Sequence, residues 1–359
     1  MLSWRYMGHP QAGGAELVTH RVLTRMVADG HVVTAFTAAH PGAPEQETID
    51  GVRIMRRGRQ WTVHLEAWRW LRRRLGEFDR VVEQINTLPF LTPLYVPEAQ
   101  RRLLIHQLAR EYWWRETRGL FRLVAPLGYV LEPYQFRFYR RTDTMTISES
   151  SRADLASLGI PRERISVIPM ATDVVPVEGL EPKPRPPRCI VIGRLTPAKF
   201  VEEGLAAFEI IQAHRPEVEL DIVGTGDPRY RVQLENIVAQ RGLRNVVFHG
   251  RVDDARRRTL LARATVHLFT SHREGWGLTV TEAAAMGTPS VGYDAPGVRD
   301  SIADPRLIAA GRSPTSLAAR AIGLLDDPEA YETARHRAWA QARELGWDRT
   351  AAAFLRAIR

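Results

Sequence analysis

Apolar residues in this chain fall into short runs closed by polar or glycine-bearing turns, and the runs alternate with segments of helical spacing. LSWR (residues 2–5) reads as a truncated strand and YMGHPQAGGAE as a loop. In ELVTHRVLTRMVADG the apolar positions Leu17, Val18, Val22, Leu23, Met26 and Val27 recur at helical spacing and stop at Gly30. HVVTAFTA, GVRIMRR and RVVEQIN read as strands, followed by RLLIHQ at 102–107, TMTISES at 144–150 and RISVIPM at 164–170. Strand, helix, strand in that order predicts a parallel, doubly wound α/β sheet.

Composition then shifts. VVPVEGLEPKPRPPR, residues 174–188, holds five prolines in fifteen positions and reads as a connection between domains. A second series follows: strand CIVIGRL, a helix near 201–214, strand VELDIVG, a helix near 229–241, strand NVVFHG, a helix near 254–263, strand TVHLFTS and helix LTVTEAAAMG. ARELGWDRTAAAFLRAIR ends the chain as a helix. At 359 residues the chain suits two domains rather than one core. The expected division is 1–173, a linker at 174–188, 189–340, and a terminal helix at 341–359 that crosses back to the first domain. Ligands would bind at the carboxyl ends of the strands, between two facing Rossmann-like sheets.

Hydrophobic residues at 44% and charged ones at 25% are ordinary for a globular protein, and no apolar run approaches the roughly 20 residues that span a bilayer. MLSWRYMGHPQAGG lacks a basic region followed by an apolar core, which predicts no signal peptide, and the single Cys189 excludes an intrachain disulfide. The cytoplasm is the expected compartment. A net charge of +9, without a basic tail or block, favours anionic ligands in general. Only two of the fifty basic residues are lysine, Lys183 and Lys199, so a lysine inside a glycine-bearing turn carries information.

Three stretches could carry chemistry. GRLTPAKF places Gly193, Arg194 and Lys199 directly after a strand, where two cations around a turn could converge on a diphosphate; the plain alternative is two solvated loop charges. QAGGAE puts Gly13 and Gly14 ahead of a helix, offering free N–H groups to an anion, or simply a tight turn. It is not the G-x-G-x-x-G fingerprint of dehydrogenases. In REGWGLTVTEAAAMG, Glu274 lies in the loop before a helix and Glu282 inside it. The amides of Gly275, Trp276, Gly277 and Leu278, with Thr279 beyond, sit at the positive helix end. One glutamate for each sugar ring and the helix end for the phosphates would hold a nucleotide sugar; a solvated loop acid and helix acid is the alternative.

QAGGAE, SESSRADL, ISVIPMATD, GRLTPAK, VGTGDP, FHGRV and EGWGLTVTE, in this order, resemble a retaining glycosyltransferase of family 4 with the GT-B fold, the last matching its E-x7-E signature. The resemblance covers nearly the whole chain. It implies that Arg194 and Lys199 neutralise the donor diphosphate, Glu282 binds the nucleotide ribose and Glu274 holds hydroxyls of the donor sugar. It also implies that Gly13 and Gly14 close over the phosphates, that Gly224 and Gly226 line the donor site, and that Arg251 and Val252 lie near the base. His106, in LLIHQL, matches a histidine beside the donor sugar. The sequence departs from the family in Phe200, where glycine is usual. No D-x-D triplet occurs, so no metal and no cofactor beyond the donor is expected, and no covalent nucleophile is assigned. Retention by front-face attack follows from the resemblance.

The acceptor is expected on the first domain, with residues 111–141 dense in aromatics and arginines. In EAWRWLRRRLG (66–76) Trp68, Leu71 and Leu75 line one face and Arg69, Arg72 and Arg73 surround it. This pattern suits an anionic membrane surface, or equally a helix packed on its own domain. Rival readings are a sugar-nucleotide epimerase or phosphorylase, a non-catalytic nucleotide-sugar binding module and, weakest, a nucleic-acid binder, for which no reading motif is present.

Overall fold

Residues 1–4 link two groups of strands through isolated bridges and backbone hydrogen bonds. Leu2 and Trp4 are almost wholly buried, and Leu2 bridges in parallel to both Phe36 and Glu83. The computed structural model describes residues 1–86, 88–108 and 125–359, and residues 111–124 of the stretch dense in aromatics and arginines lie outside them. The chain divides into two units, Met1–Ala171 with Gly346–Arg359, and Thr172–Leu345.

In the first unit, β1 (Thr34–Thr37) pairs in parallel with β3 (Val52–Arg56), and β4 (Val81–Ile85), β5 (Arg101–Ile105), β6 (Asp143–Thr146) and β7 (Ile165–Val167) form a parallel ladder. Residues 1–4 join the two groups: the Leu2 amide donates to Val82 O at 2.8 Å and Gln84 N donates to Leu2 O at 2.8 Å, while Phe36 N donates to Met1 O on the other side. The expected all-parallel sheet has an exception at its edge. β2 (Gln46–Ile49) runs antiparallel to β3 through a turn at Asp50 and Gly51. Its polar residues gave no apolar run, but the Asp-Gly pair is a hairpin signal. TMTISES is likewise only half strand, because Ser148 Oγ accepts from Ser151 N at 3.1 Å and caps a helix.

Helix α1 (Gly14–Ala28) buries Val18, Val22, Leu23 and Met26. Helix α2 (Val63–Arg72) turns Val63, Ala67, Trp70 and Leu71 into the core, so its inner face differs from the expected Trp68, Leu71 and Leu75 stripe. Arg69, Arg72 and Arg73 are exposed, and the Arg72 guanidinium lies 5.5 Å from the Trp68 ring. The segments α3 (Ala125–Gln135) and α4 (Glu149–Ser157) complete this part.

The second unit holds one parallel sheet, β10-β9-β8-β11-β12-β13, built from β8 (Arg188–Ile192), β9 (Glu219–Val223), β10 (Val246–Gly250), β11 (Val266–Phe269), β12 (Ser290–Tyr293) and β13 (Ile308–Ala309). In order of appearance this is 3-2-1-4-5-6, the doubly wound arrangement. Its helices are α5 (Val201–His214), α6 (Pro228–Gln240), α7 (Asp254–Arg263), α8 (Leu278–Ala285), α9 (Val298–Ser301), α10 (Pro314–Asp326) and α11 (Pro328–Glu344). The proline-rich segment is pinned to this unit: Lys183 Nζ donates to Ala262 O at 2.8 Å, Met286 O at 3.1 Å and Thr288 Oγ1 at 2.7 Å.

The expected terminal helix over 342–359 is broken. α11 ends at Glu344, and α12 (Trp347–Ile358) starts after Gly346, where glycine's low helix propensity favours a break. α12 packs on α1, with Arg25 Nε donating to Asp348 at 2.7 Å and Thr350 Oγ1 to Pro169 O at 2.7 Å.

Candidate functional site

The order of the second sheet reverses between β8 and β11, and in open α/β sheets ligands bind where that happens, outside the carboxyl ends of the strands. The turn after β8 carries Arg194 and Lys199; the loop after β11 carries Glu274. Lys199 Nζ forms an ion pair with Glu274 Oε1, their side chains being 21% and 13% exposed. Thr270 Oγ1, on the β11 side, donates to Lys199 O at 2.7 Å, so the backbones of turn and loop are tied as well. Sequence reasoning missed this cation–acid contact, because spacing along a chain does not show which loops share a switch point.

Glu274 is fixed from behind. Its N–H donates to Pro296 O at 3.0 Å, and Gly297 packs so closely that a Cβ there would lie 2.1 Å from Glu274 O. Pro296 and Gly297 are thus positioning residues, to which the sequence pattern assigns no role. α8 follows directly. The N–H groups of Leu278 and Thr279 open the helix and have no intrahelical partner. Trp276 Nε1 donates to Thr281 Oγ1 at 2.9 Å, tying the indole to the helix, and Gly275 and Gly277 are buried.

Glu282, in the second turn of α8, is 8% exposed. Arg257 on α7 approaches it at 3.3 Å and Thr172 Oγ1 donates to it at 3.4 Å. Burial raises its carboxyl above the usual range; Arg257 and Thr172 oppose that rise, and Asp254 and Asp173 add to it. Arg257 was missed because a helix arginine after FHGRV looks like any solvated cation, whereas Thr172 lies within the motif ISVIPMATD.

Gly224 and Gly226 serve the backbone. A Cβ on Gly224 would lie 1.8 Å from Gly193 O, and one on Gly226 2.0 Å from Leu195 O. Their absent side chains let the turn bearing Arg194 rest on the turn after β9, with Leu195 N donating to Thr225 O at 3.0 Å. Arg194 and Arg251 are exposed, and Val252 is half-buried against the core under α7 and α8.

The first unit holds the other expected residues. One expectation is corrected there: the Gly13 N–H is not free for an anion, because it donates to Glu16 Oε2 at 2.7 Å. Glu16 is 1% exposed and is held by Arg5 Nε at 3.0 Å and Asn86 Nδ2 at 3.1 Å. The buried carboxylate of Glu16 thus takes the Gly13 amide. His106, at the end of β5, lines a small apolar cavity with Val18, Val22, Ile168, Met170 and Phe354. Its buried Nε2 has no hydrogen-bond partner, and burial lowers its pKa to about 4, so the ring is neutral at physiological pH.

Two family models match in tandem: Glycosyltransferase Family 4 over residues 12–175 and Glycosyl transferases group 1 over residues 178–343. Glycogen synthase of Mycobacterium tuberculosis is 31% identical over 215 residues, 58% of this chain and 51% of its own length. The chain spans about half the length of the curated relatives it matches. Among solved structures, sucrose-phosphate synthase from Thermosynechococcus elongatus superposes with a TM-score of 0.77 at 19% identity, covering 99% of this chain and 96% of the other. Anabaena HepE in complex with UDP and glucose gives 0.70 at 17% identity, covering 99% and 98%. With its two tandem domains and α/β architecture, the chain belongs to the glycosyltransferases of the GT-B fold.

Proposed function

We propose that this protein is a retaining, metal-independent glycosyltransferase that moves a sugar from a nucleoside diphosphate sugar to a hydroxyl of a carbohydrate, lipid-linked or small-molecule acceptor. One observation carries the reading: at the switch point of the second sheet, Lys199 meets Glu274 beside a helix end, and Glu282 is buried on that same helix. Breaking the bond between the anomeric carbon and phosphate places negative charge on the leaving diphosphate and positive charge on the ring. Lys199, Arg194 and the amides of Leu278 and Thr279 stabilise the first. Glu274 orients the sugar through its hydroxyls, and Glu282 accepts the two ribose hydroxyls. Side chains and a helix end supply the charge a metal would otherwise supply. In the retaining step, the leaving phosphate oxygen takes the acceptor proton as the acceptor oxygen bonds to the same face of the anomeric carbon. The UDP and glucose held by the similar HepE structure support a uridine donor as the first to test.

A thermal-shift screen against UDP-, GDP-, ADP- and dTDP-sugars tests this. One class should stabilise the protein by about 2.7 kcal/mol at a hundredfold its dissociation constant. Ribose binding needs ionised Glu282, whose pKa is raised. Affinity is therefore full above that pKa and lost as pH falls through it, at a higher pH than an ordinary carboxylate would give. Glu282→Gln should remove that dependence. No shift with any of the four classes contradicts the proposal.

Among the described residues no helix is long and apolar enough to cross a membrane. Cytoplasmic residence with peripheral contact to anionic lipid is part of the proposal, supported by exposed Trp61 and Leu65 beside exposed Arg69, Arg72 and Arg73. Co-sedimentation with phosphatidylserine vesicles at low salt is expected; its absence removes that part.

A further inference from the structure

Phe200 closes the turn after β8 with φ +52° and ψ +41°, in the left-handed region. That conformation is strained for a side chain with a Cβ. It persists where surrounding contacts over-determine it. Here the contacts converge on one ring. Phe200 lies face to face with His272, the centroids 3.7 Å apart and the planes 13° from parallel. His272 Nε2 is 2.9 Å from Glu203 Oε2 in the first turn of α5, and the Glu203 N–H donates to Phe200 O at 2.9 Å. The Tyr293 ring meets the imidazole edge-on, 5.2 Å away. His272 is thus gripped by the turn that Phe200 forms, by the helix that starts there, and by the end of β12.

The positions of the two rings give this grip its consequence. Phe200 directly follows Lys199, and His272 stands two residues before Glu274. The left-handed backbone at Phe200 also separates the turn at Pro197–Lys199 from α5, so that Lys199 leaves the helix axis and reaches Glu274. We propose that Phe200, stacked on His272, is a positioning residue that sets the separation of Lys199 and Glu274 and so the fit of this cation to a diphosphate. The inference rests on the reading of Lys199 and Glu274 as donor-binding groups. Phe200 itself need touch no donor atom.

Glycine adopts this backbone angle without strain, which offsets part of what is lost with the buried ring, and the melting temperatures report the remainder. Phe200→Gly should lower the melting temperature while the protein stays folded at the titration temperature, and its effect on the ligand is read there. Calorimetric titration of UDP, GDP, ADP and dTDP into the wild type, F200G, F200Y, H272A, F200G/H272A and K199M tests this, with melting temperatures measured alongside. Whichever nucleotide binds the wild type should bind F200G and H272A about tenfold more weakly, the scale of a mispositioned charged contact. F200Y, which restores the ring, should recover wild-type affinity. The double variant should be no weaker than F200G, since both changes remove one contact. Wild-type affinity in F200G, or losses that add in the double variant, overturns the inference. K199M separates the two levels. If K199M binds as the wild type does, the donor-site reading falls; if K199M is weak while F200G is normal, only the role of Phe200 falls. Failure of all four nucleotides to bind the wild type overturns both.

Discussion

Lys199→Met is expected to lower the rate of sugar transfer by about 10²- to 10³-fold, the range seen when one preorganised group facing developing charge is removed. Methionine keeps most of the aliphatic stem and removes the ammonium, so the turn can stay packed while the proposed diphosphate site loses a cation. Arg194 remains exposed on the same turn and can still attract the donor. The loss should therefore appear mainly in kcat, with a smaller rise in KM for the donor. Glu274→Gln should also depress transfer, because it removes both the charge proposed to hold the sugar and the ion-pair partner of Lys199. Initial rates of nucleoside diphosphate release check both variants. Wild-type turnover in the lysine variant would remove Lys199 from the mechanism.

The largest effect on stability is expected from Gly224→Ala. The residue has φ +136°, which alanine rarely adopts, and its new methyl carbon would lie 1.8 Å from Gly193 O. Neither backbone is at liberty to yield, since Gly193 N donates to Val223 O at 3.0 Å and Gly224 N donates to Gly250 O at 2.9 Å. A loss of about 4 kcal/mol or more is expected, in the class of the most severe single substitutions. Nucleotide affinity should fall with it, because the turn displaced is the one bearing Arg194. Gly323→Ala is the control. That glycine is exposed on α10, a methyl group there would meet nothing within 4 Å, and alanine should stabilise by about 0.5–1 kcal/mol. Denaturant melts of the two variants would contradict the account if they moved together.

Much of the fold was legible because burial on both faces leaves continuous apolar runs. CIVIGRL, VELDIVG and TVHLFTS each contain a strand of the second sheet, and helical periodicity located α5, α6 and α7 to within a residue or so. The misses share one physical cause: local patterns do not record tertiary partners. Polar β2 is held by a turn and one neighbour; Ser148 ends a strand-like run because its hydroxyl caps a helix; Gly346 interrupts a periodic stretch that otherwise reads as continuous. The site divides the same way. The types and order of Lys199, Glu274 and Glu282 could be read, but not the pairing of the first two or the contact of the third with Arg257. At Gly13 two glycines before a helix looked like an anion cradle, and only the structure showed Glu16 taking the amide. Phe200 stood out as a departure from the resembled family, and its left-handed backbone gives the reason glycine suits that position.

The most direct test is a crystal structure with whichever of UDP, GDP, ADP or dTDP binds. The diphosphate is expected at the amino end of the helix Leu278–Ala285 with Lys199 turned onto it, and the ribose hydroxyls on Glu282. A nucleotide bound elsewhere, or bound there with Glu282 contacting only Arg257 and Thr172, would contradict it.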